Sequence, residues 1–275
     1  MNSVLTMIRI CLLAMLGAAL AGCSSTPAGN RSRMVDLPLA SRHADLLFDV
    51  STGIRYHLNC LAENKCAKPP ESAVLPLFVL QVERVARKLQ GGVQTLYPNL
   101  AQSLPGLSGN RIDVYVVDSG EPSSACSANG RIAVNSVLGA WRPSDDWVAF
   151  MIAREMGHVI ARHPEENSAA SMATSMLMNL ILPGSELLKS LVSAGGGQVA
   201  SFSMRDTQEE EADAIALSLL KASGYRPRKV AAALRVNASV LDDGKWSQSF
   251  RRSSDYLIAE ASGAKGRVAA VTGKP

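Results

Sequence analysis

Arg154-Glu155-Met156-Gly157-His158-Val159-Ile160-Ala161-Arg162-His163 is the stretch on which the fold turns. It ends a longer segment, beginning at Ser144-Asp145-Asp146, in which apolar residues recur at helical spacing. Ser144 and the two aspartates suit a helix start, because their oxygens accept from free N–H groups and acids favour the positive end of the helix dipole. Pro164 suits the stop after His163. At ~100° per residue, Trp147, Phe150, Met151, Arg154, His158 and Ala161 share one face. Ile152, Met156, Val159 and Ile160 form an apolar patch behind it, so the helix is expected to be buried on two sides. Arg154 then points inwards, and an inward guanidinium needs an anionic partner, since an unpaired buried charge costs several kcal/mol.

A second helix, from Glu209 to Ser223 with Gly224 as its stop, offers that partner. Glu209, Ala212, Asp213, Ala216 and Leu220 share its inward face, whereas Glu210 and Glu211 point elsewhere and are expected in solvent. Alone, such acids would read as a helix start, Glu155 as a surface glutamate and His158 as a core histidine. The matched spacing on two helices singles them out.

Around this pair the chain reads as α+β, mainly helical with a small mixed sheet bordering a groove. Leu75 to Gln90 is helical, with Gly91-Gly92 as a stop. Residues 112–117 and Arg131 to Asn135 read as strands, the second entered through Asn129-Gly130. Residues 168–202 are rich in Met, Leu and Ser and broken by Pro183-Gly184 and Gly195 to Gly197, a flap or a loop too interrupted to span a membrane. The last fifty residues look helical but weakly patterned.

The residues now quoted resemble a known family. Residues 154–163 look like H-E-x-G-H-x-x-A-R-H, Glu209 to Asp213 like E-x-x-A-D, and Ser223-Gly224-Tyr225-Arg226-Pro227 and Ser127 to Val134 like the segments that flank them. This is the HtpX, BepA and CAAX prenyl endopeptidase family (metallopeptidase family forty-eight), and the resemblance runs over about residues 75–260. It implies a zincin-like fold, with Glu155 as general base, His158 and Glu209 as zinc ligands, and Asp213 orienting His158. The departure is Arg154, which stands at the first ligand histidine, and a guanidinium has no lone pair for a metal. Zinc is therefore the implied cofactor, or none is held. His163 lies ~180° round the helix from Arg154, and His43 and His57 belong to no motif; an active zinc site would need an unseen ligand such as His57 or His163, or a metal held weakly by His158, Glu209 and water. A looser correspondence puts Arg251 where relatives carry a second histidine near the C-terminus.

The N-terminus reads as an address. Arg9, an apolar run from Ile10 to Leu20, and Leu20-Ala21-Gly22-Cys23 look like a lipoprotein signal, with lipid on Cys23. The expected organisation is a signal peptide over 1–22, a lipidated cysteine and flexible tether over 23–45, and a metallopeptidase-like domain over 46–275. By resemblance to bacterial lipoprotein sorting signals, Ser24 after the cysteine implies the outer membrane, facing the periplasm. In that oxidising compartment Cys60 and Cys66, close in sequence, are the candidate disulfide, leaving Cys126 odd. Zinc held by Cys60 and Cys66 is the weaker alternative, lacking a second pair. A net charge of +4 spread along the chain does not argue for nucleic acid. Three functions stay open. One is a pseudopeptidase that binds envelope polypeptides. Another is an active zinc endopeptidase in periplasmic protein quality control. The third is a structural lipoprotein whose motif is coincidental, which would have no cleft.

Overall fold

The helix carrying the decisive decapeptide begins where the sequence places it. Ser144 Oγ accepts from Trp147 N at 3.3 Å, with Asp145 and Asp146 in the first turn. Asp145 is also gripped by Arg84 at 2.7 Å and Gln81 at 2.9 Å. A Ser144→Ala variant is expected to lose about 1 kcal/mol of stability through the missing cap, read as a lower urea midpoint with an unchanged slope.

In the computed structural model, residues 38–49, 74–104, 107, 111–117, 122–171, 207–241 and 243–262 are described. Residues 1–22, Cys23, His57, Cys60, Cys66 and residues 172–206 lie outside them. The helices are α1 (Pro38–Asp49), α2 (Val74–Leu96), the single turn α3 (Leu100–Ser103), α4 (Asp145–Ile160), α5 (163–171), α6 (207–222), α7 (Pro227–Val236) and α8 (Lys245–Ala261). The strands are β1 (Asp113–Val117), β2 (Ser124–Cys126) and β3 (Arg131–Asn135). They form a mixed sheet in the order β1-β3-β2, with Val114 opposite Ile132 in the parallel pair and Ala125 opposite Ala133 in the antiparallel one. The architecture is the expected α+β, zincin-like one: mostly helical, with a small mixed sheet. No described helix is long and apolar enough to cross a membrane.

α4 is the central element, buried over nearly its whole length. Val82, Val85, Leu89 and Val93 of α2, Ile132 and Val134 of β3, and Ile215 and Leu219 of α6 belong to the core around it. Phe250 fastens α8 to this core, its ring 5.0 Å from Trp147 and 5.5 Å from Phe150.

Several expectations are corrected. α2 does not stop at Gly91-Gly92 but runs on to Leu96. A Cβ at Gly92 would lie 2.3 Å from Ser223 Oγ and 3.1 Å from Leu219 O, so this glycine serves close packing of α2 on α6. The α4 helix ends at Ile160, not His163: Arg162 takes a left-handed φ of 62°, and Pro164 opens α5 instead of closing α4. The tether expected through residue 45 gives way at Pro38 to a docked helix. Ala40, Ala44 and Phe48 of α1 are buried, and Asp45 Oδ1 accepts from Asn129 N at 3.0 Å. β2 was not foreseen, and it changes the groove. β3, expected at the groove edge, is paired on both sides, and the edge is β2. The Gly224 stop holds: with φ of 73° it lets Tyr225 N reach Leu220 O at 2.8 Å and its own N reach Lys221 O at 3.0 Å.

Candidate active site

The inner ends of α4 and α6, the edge strand β2, the start of α5 and one face of α8 enclose a cavity of about 350 Å³. Arg154, Glu155, His158, Glu209, Ser124, Cys126, His163, Trp246 and Ser249 line it. The positions singled out on two helices therefore come together, as their spacing requires.

Arg154 occupies the centre and is only 4% exposed. Its Nη2 donates to Glu209 Oε2 and, at 2.7 Å, to Ser249 Oγ. Its Nε donates to Ser253 Oγ at 2.9 Å, and Nη1 lies 3.4 Å from Glu155 Oε1. Asp213 Oδ1 is 3.7 Å from Nε. Burial disfavours the guanidinium's charge, but the carboxylates of Glu209, Glu155 and Asp213 outweigh it and raise the pKa. For Glu209 burial works upwards, yet the His158 contact and the Arg154 charge win and hold the carboxyl at about 2. Asp213 goes the other way. Its burial, only partly offset by Arg154, pushes it up to about 6, and its Oδ1 has no hydrogen-bond partner among the described residues.

Glu155 is held from the sheet side. Ser124 Oγ donates to its Oε1 at 2.8 Å, and Trp246 Nε1 donates to Ser124 Oγ at 2.9 Å. The Cys126 thiol beside it is raised well above its usual range by burial and by Glu155, and so stays protonated.

His158 Nε2 lies 3.5 Å from Glu209 Oε2. Its other nitrogen meets not Asp213, the expected partner, but His163: the two Nδ1 atoms are 2.9 Å apart. His163 Nε2 in turn lies 3.3 Å from Glu211 Oε2. Burial keeps His163 neutral, its pKa lowered to about 4 despite the Glu211 contact. If Nε2–H donates to the carboxylate, His163 Nδ1 is left as an acceptor facing His158 Nδ1. The helical-wheel position of His163 fails because the turn at Ala161-Arg162 swings it back beside His158. Glu211, expected in solvent, is buried at 7%, because α6 packs on more than its Glu209 face. Glu210 is exposed as expected. Arg251, loosely matched to a family histidine, donates to Leu241 O at 3.1 Å, and Ser249 and Ser253 take the inward positions on α8. His43 contacts Ser168 and is no part of the pocket.

Zinc, implied by the sequence resemblance, does not fit this donor set. The oxygen of Glu209 that faces His158 is taken by the guanidinium, and Arg154 has nothing to give a metal. His158 and Glu209 alone are too few for a tightly held catalytic ion.

Comparison with known proteins supplies the kinship. The model of peptidase family M48 matches residues 87–259, more than half of the chain. The chain is also 30% identical over 122 residues to the mitochondrial metalloendopeptidase OMA1 of Arabidopsis thaliana, a match covering 44% of this chain and 25% of that protein. The match thus spans about a quarter of the curated relative's length. The family typically uses zinc. The extent of the family match decides the matter: the chain belongs to peptidase family M48.

Proposed function

We propose that this protein is an envelope lipoprotein whose metallopeptidase-type pocket binds polypeptides without cutting them, with the Arg154 guanidinium doing the electrostatic work of the metal. The observation that carries the reading is the bonding of Arg154. One side chain, at the position matched to the first ligand histidine, neutralises Glu209 and ties α4 to α6 and α8. With Glu209 so engaged, a guanidinium fills the point where a metal would polarise a carbonyl and activate a water. The binding surface survives in the edge strand β2, along which an extended chain can add as a further strand. Kinship with a metalloendopeptidase supports polypeptides as the ligand class. The lipobox-like Leu20 to Cys23 supports attachment through acyl chains on Cys23, and Ser24 supports the outer membrane facing the periplasm.

The second reading, an active zinc endopeptidase in periplasmic quality control, draws on Glu155, His158 and Glu209, which line the pocket, and on Asp213 beside Arg154. Incubation of the full chain with unfolded β-casein, with and without added zinc, separates the two. The expected result is intact casein in both cases. Casein cleavage that disappears on chelation and in Glu155→Gln would establish the endopeptidase instead.

A further inference from the structure

The pocket has two cations at its wall that its interior does not use. Lys245 and Arg252 both stand on α8 and line the cavity. Seven residues apart, they project within ~20° of each other round the helix, with Ser249 between them, and both are exposed. Among the described residues neither is in an ion pair. The pocket's acids are already engaged: Glu209 by Arg154, and Glu155 by Ser124 and Arg154. The inner guanidinium is more than balanced by Glu209, Glu155 and Asp213, so the cationic side of the pocket is the outer pair on α8. The amino end of α8 at Lys245, where Gly244 provides no side-chain cap, adds its positive dipole on the same side.

Cys126 and Ser124 of β2 line the same cavity. Ser123 O accepts from Asn135 N at 3.0 Å, and Ser127 N donates to Arg131 O at 2.9 Å. By the alternation of an antiparallel ladder, the backbone groups of Ser124 and Cys126 point away from β3, on the free side of the sheet. A polypeptide paired there would run beside the two cations of α8.

We propose that Lys245 and Arg252 form a carboxylate subsite, so that the pocket selects polypeptides presenting either an Asp or Glu side chain or their own C-terminal carboxylate. The proposal rests on the reading of the pocket as a polypeptide groove. Arg252 can grip a carboxylate with two parallel N–H donors, and Lys245 adds a point charge. Because both are exposed, the pair gives a modest and salt-sensitive preference.

The test uses the full chain in detergent micelles and three pools of fluorescein-labelled decapeptides with random flanking positions. One pool has a central Asp and an amidated C-terminus, one a central Asn and an amidated C-terminus, and one a central Asn and a free C-terminal acid. At low salt a carboxylate-bearing pool is expected to be retained about 5-fold more than the neutral pool. That ratio should fall below about 2-fold in Lys245→Gln/Arg252→Gln and in about 0.5 M salt. Preference for the Asp pool assigns the subsite to side chains, and preference for the free acid assigns it to chain ends. Equal retention of all three pools, or a preference that survives the double substitution, overturns the subsite and leaves the groove standing. Retention of none overturns the groove itself.

Discussion

Arg154→Met is expected to cost about 3–5 kcal/mol of stability, the usual consequence of removing one partner from a buried ion pair. Arg154 is 4% exposed and faces Glu209, Glu155 and Asp213. Methionine fills much of the volume but leaves those carboxyl groups without a cation, and Glu155 and Asp213 are buried from water. Glu209, held at about 2 in the wild type, loses the charge that helps to hold it there. Adding Glu209→Gln to Arg154→Met should return a substantial part of the loss, because neutral replacement of a whole buried pair is often close to neutral in stability. Urea denaturation of the wild type, the two single variants and the double variant gives the coupling directly. A single Arg154→Met loss under about 1 kcal/mol, or no recovery in the double variant, would show that the guanidinium is not the counter-charge of the site.

Gly157→Ala is expected to cost about 2–3 kcal/mol, towards the upper end of overpacking penalties. A Cβ at Gly157 would lie 2.4 Å from Ala212 O and 3.0 Å from its Cα. Those are backbone atoms of α6 and cannot swing aside, so α4 and α6 must separate. The separation occurs next to the Arg154–Glu209 contact, and the gain of ~1 kcal/mol in helix propensity offsets only part of it. Gly91 is the control: a Cβ there meets nothing within 4 Å. Gly91→Ala should be neutral or slightly stabilising. Equal thermal midpoints for Gly157→Ala and Gly91→Ala would contradict the close approach of the two helices.

How far sequence carries can be seen residue by residue. Arg154, His158, Glu209 and Asp213 are legible because they lie on regular helices, where 100° per residue places a side chain reliably. That reliability ends with the helix. Arg162 adopts a left-handed φ without being glycine, so nothing marks the bend, and the position of His163 is misjudged. Pro164 is ambiguous by nature, since the same ring that stops one helix suits the first turn of the next. Gly91-Gly92 has the mirror ambiguity, as a stop signal or a place for a neighbouring helix to come close. β2 is too short to show a period, and with it Ser124 is missed as the holder of Glu155. α8 looks weakly patterned because Ser247, Ser253 and Ser254 occupy inward positions that aliphatic residues usually fill. Ser253 is there to meet Arg154, a partner that local sequence does not reveal.

The zinc content of the purified full chain, measured by elemental analysis beside an Arg154→His variant, tests most directly whether Arg154 replaces the metal. The variant restores a histidine four residues before His158, whose Nε2 faces Glu209. The expected result is a wild type essentially free of zinc and a variant that fills to about one ion per chain. Zinc at about one per chain in the wild type would contradict the replacement of the metal by Arg154.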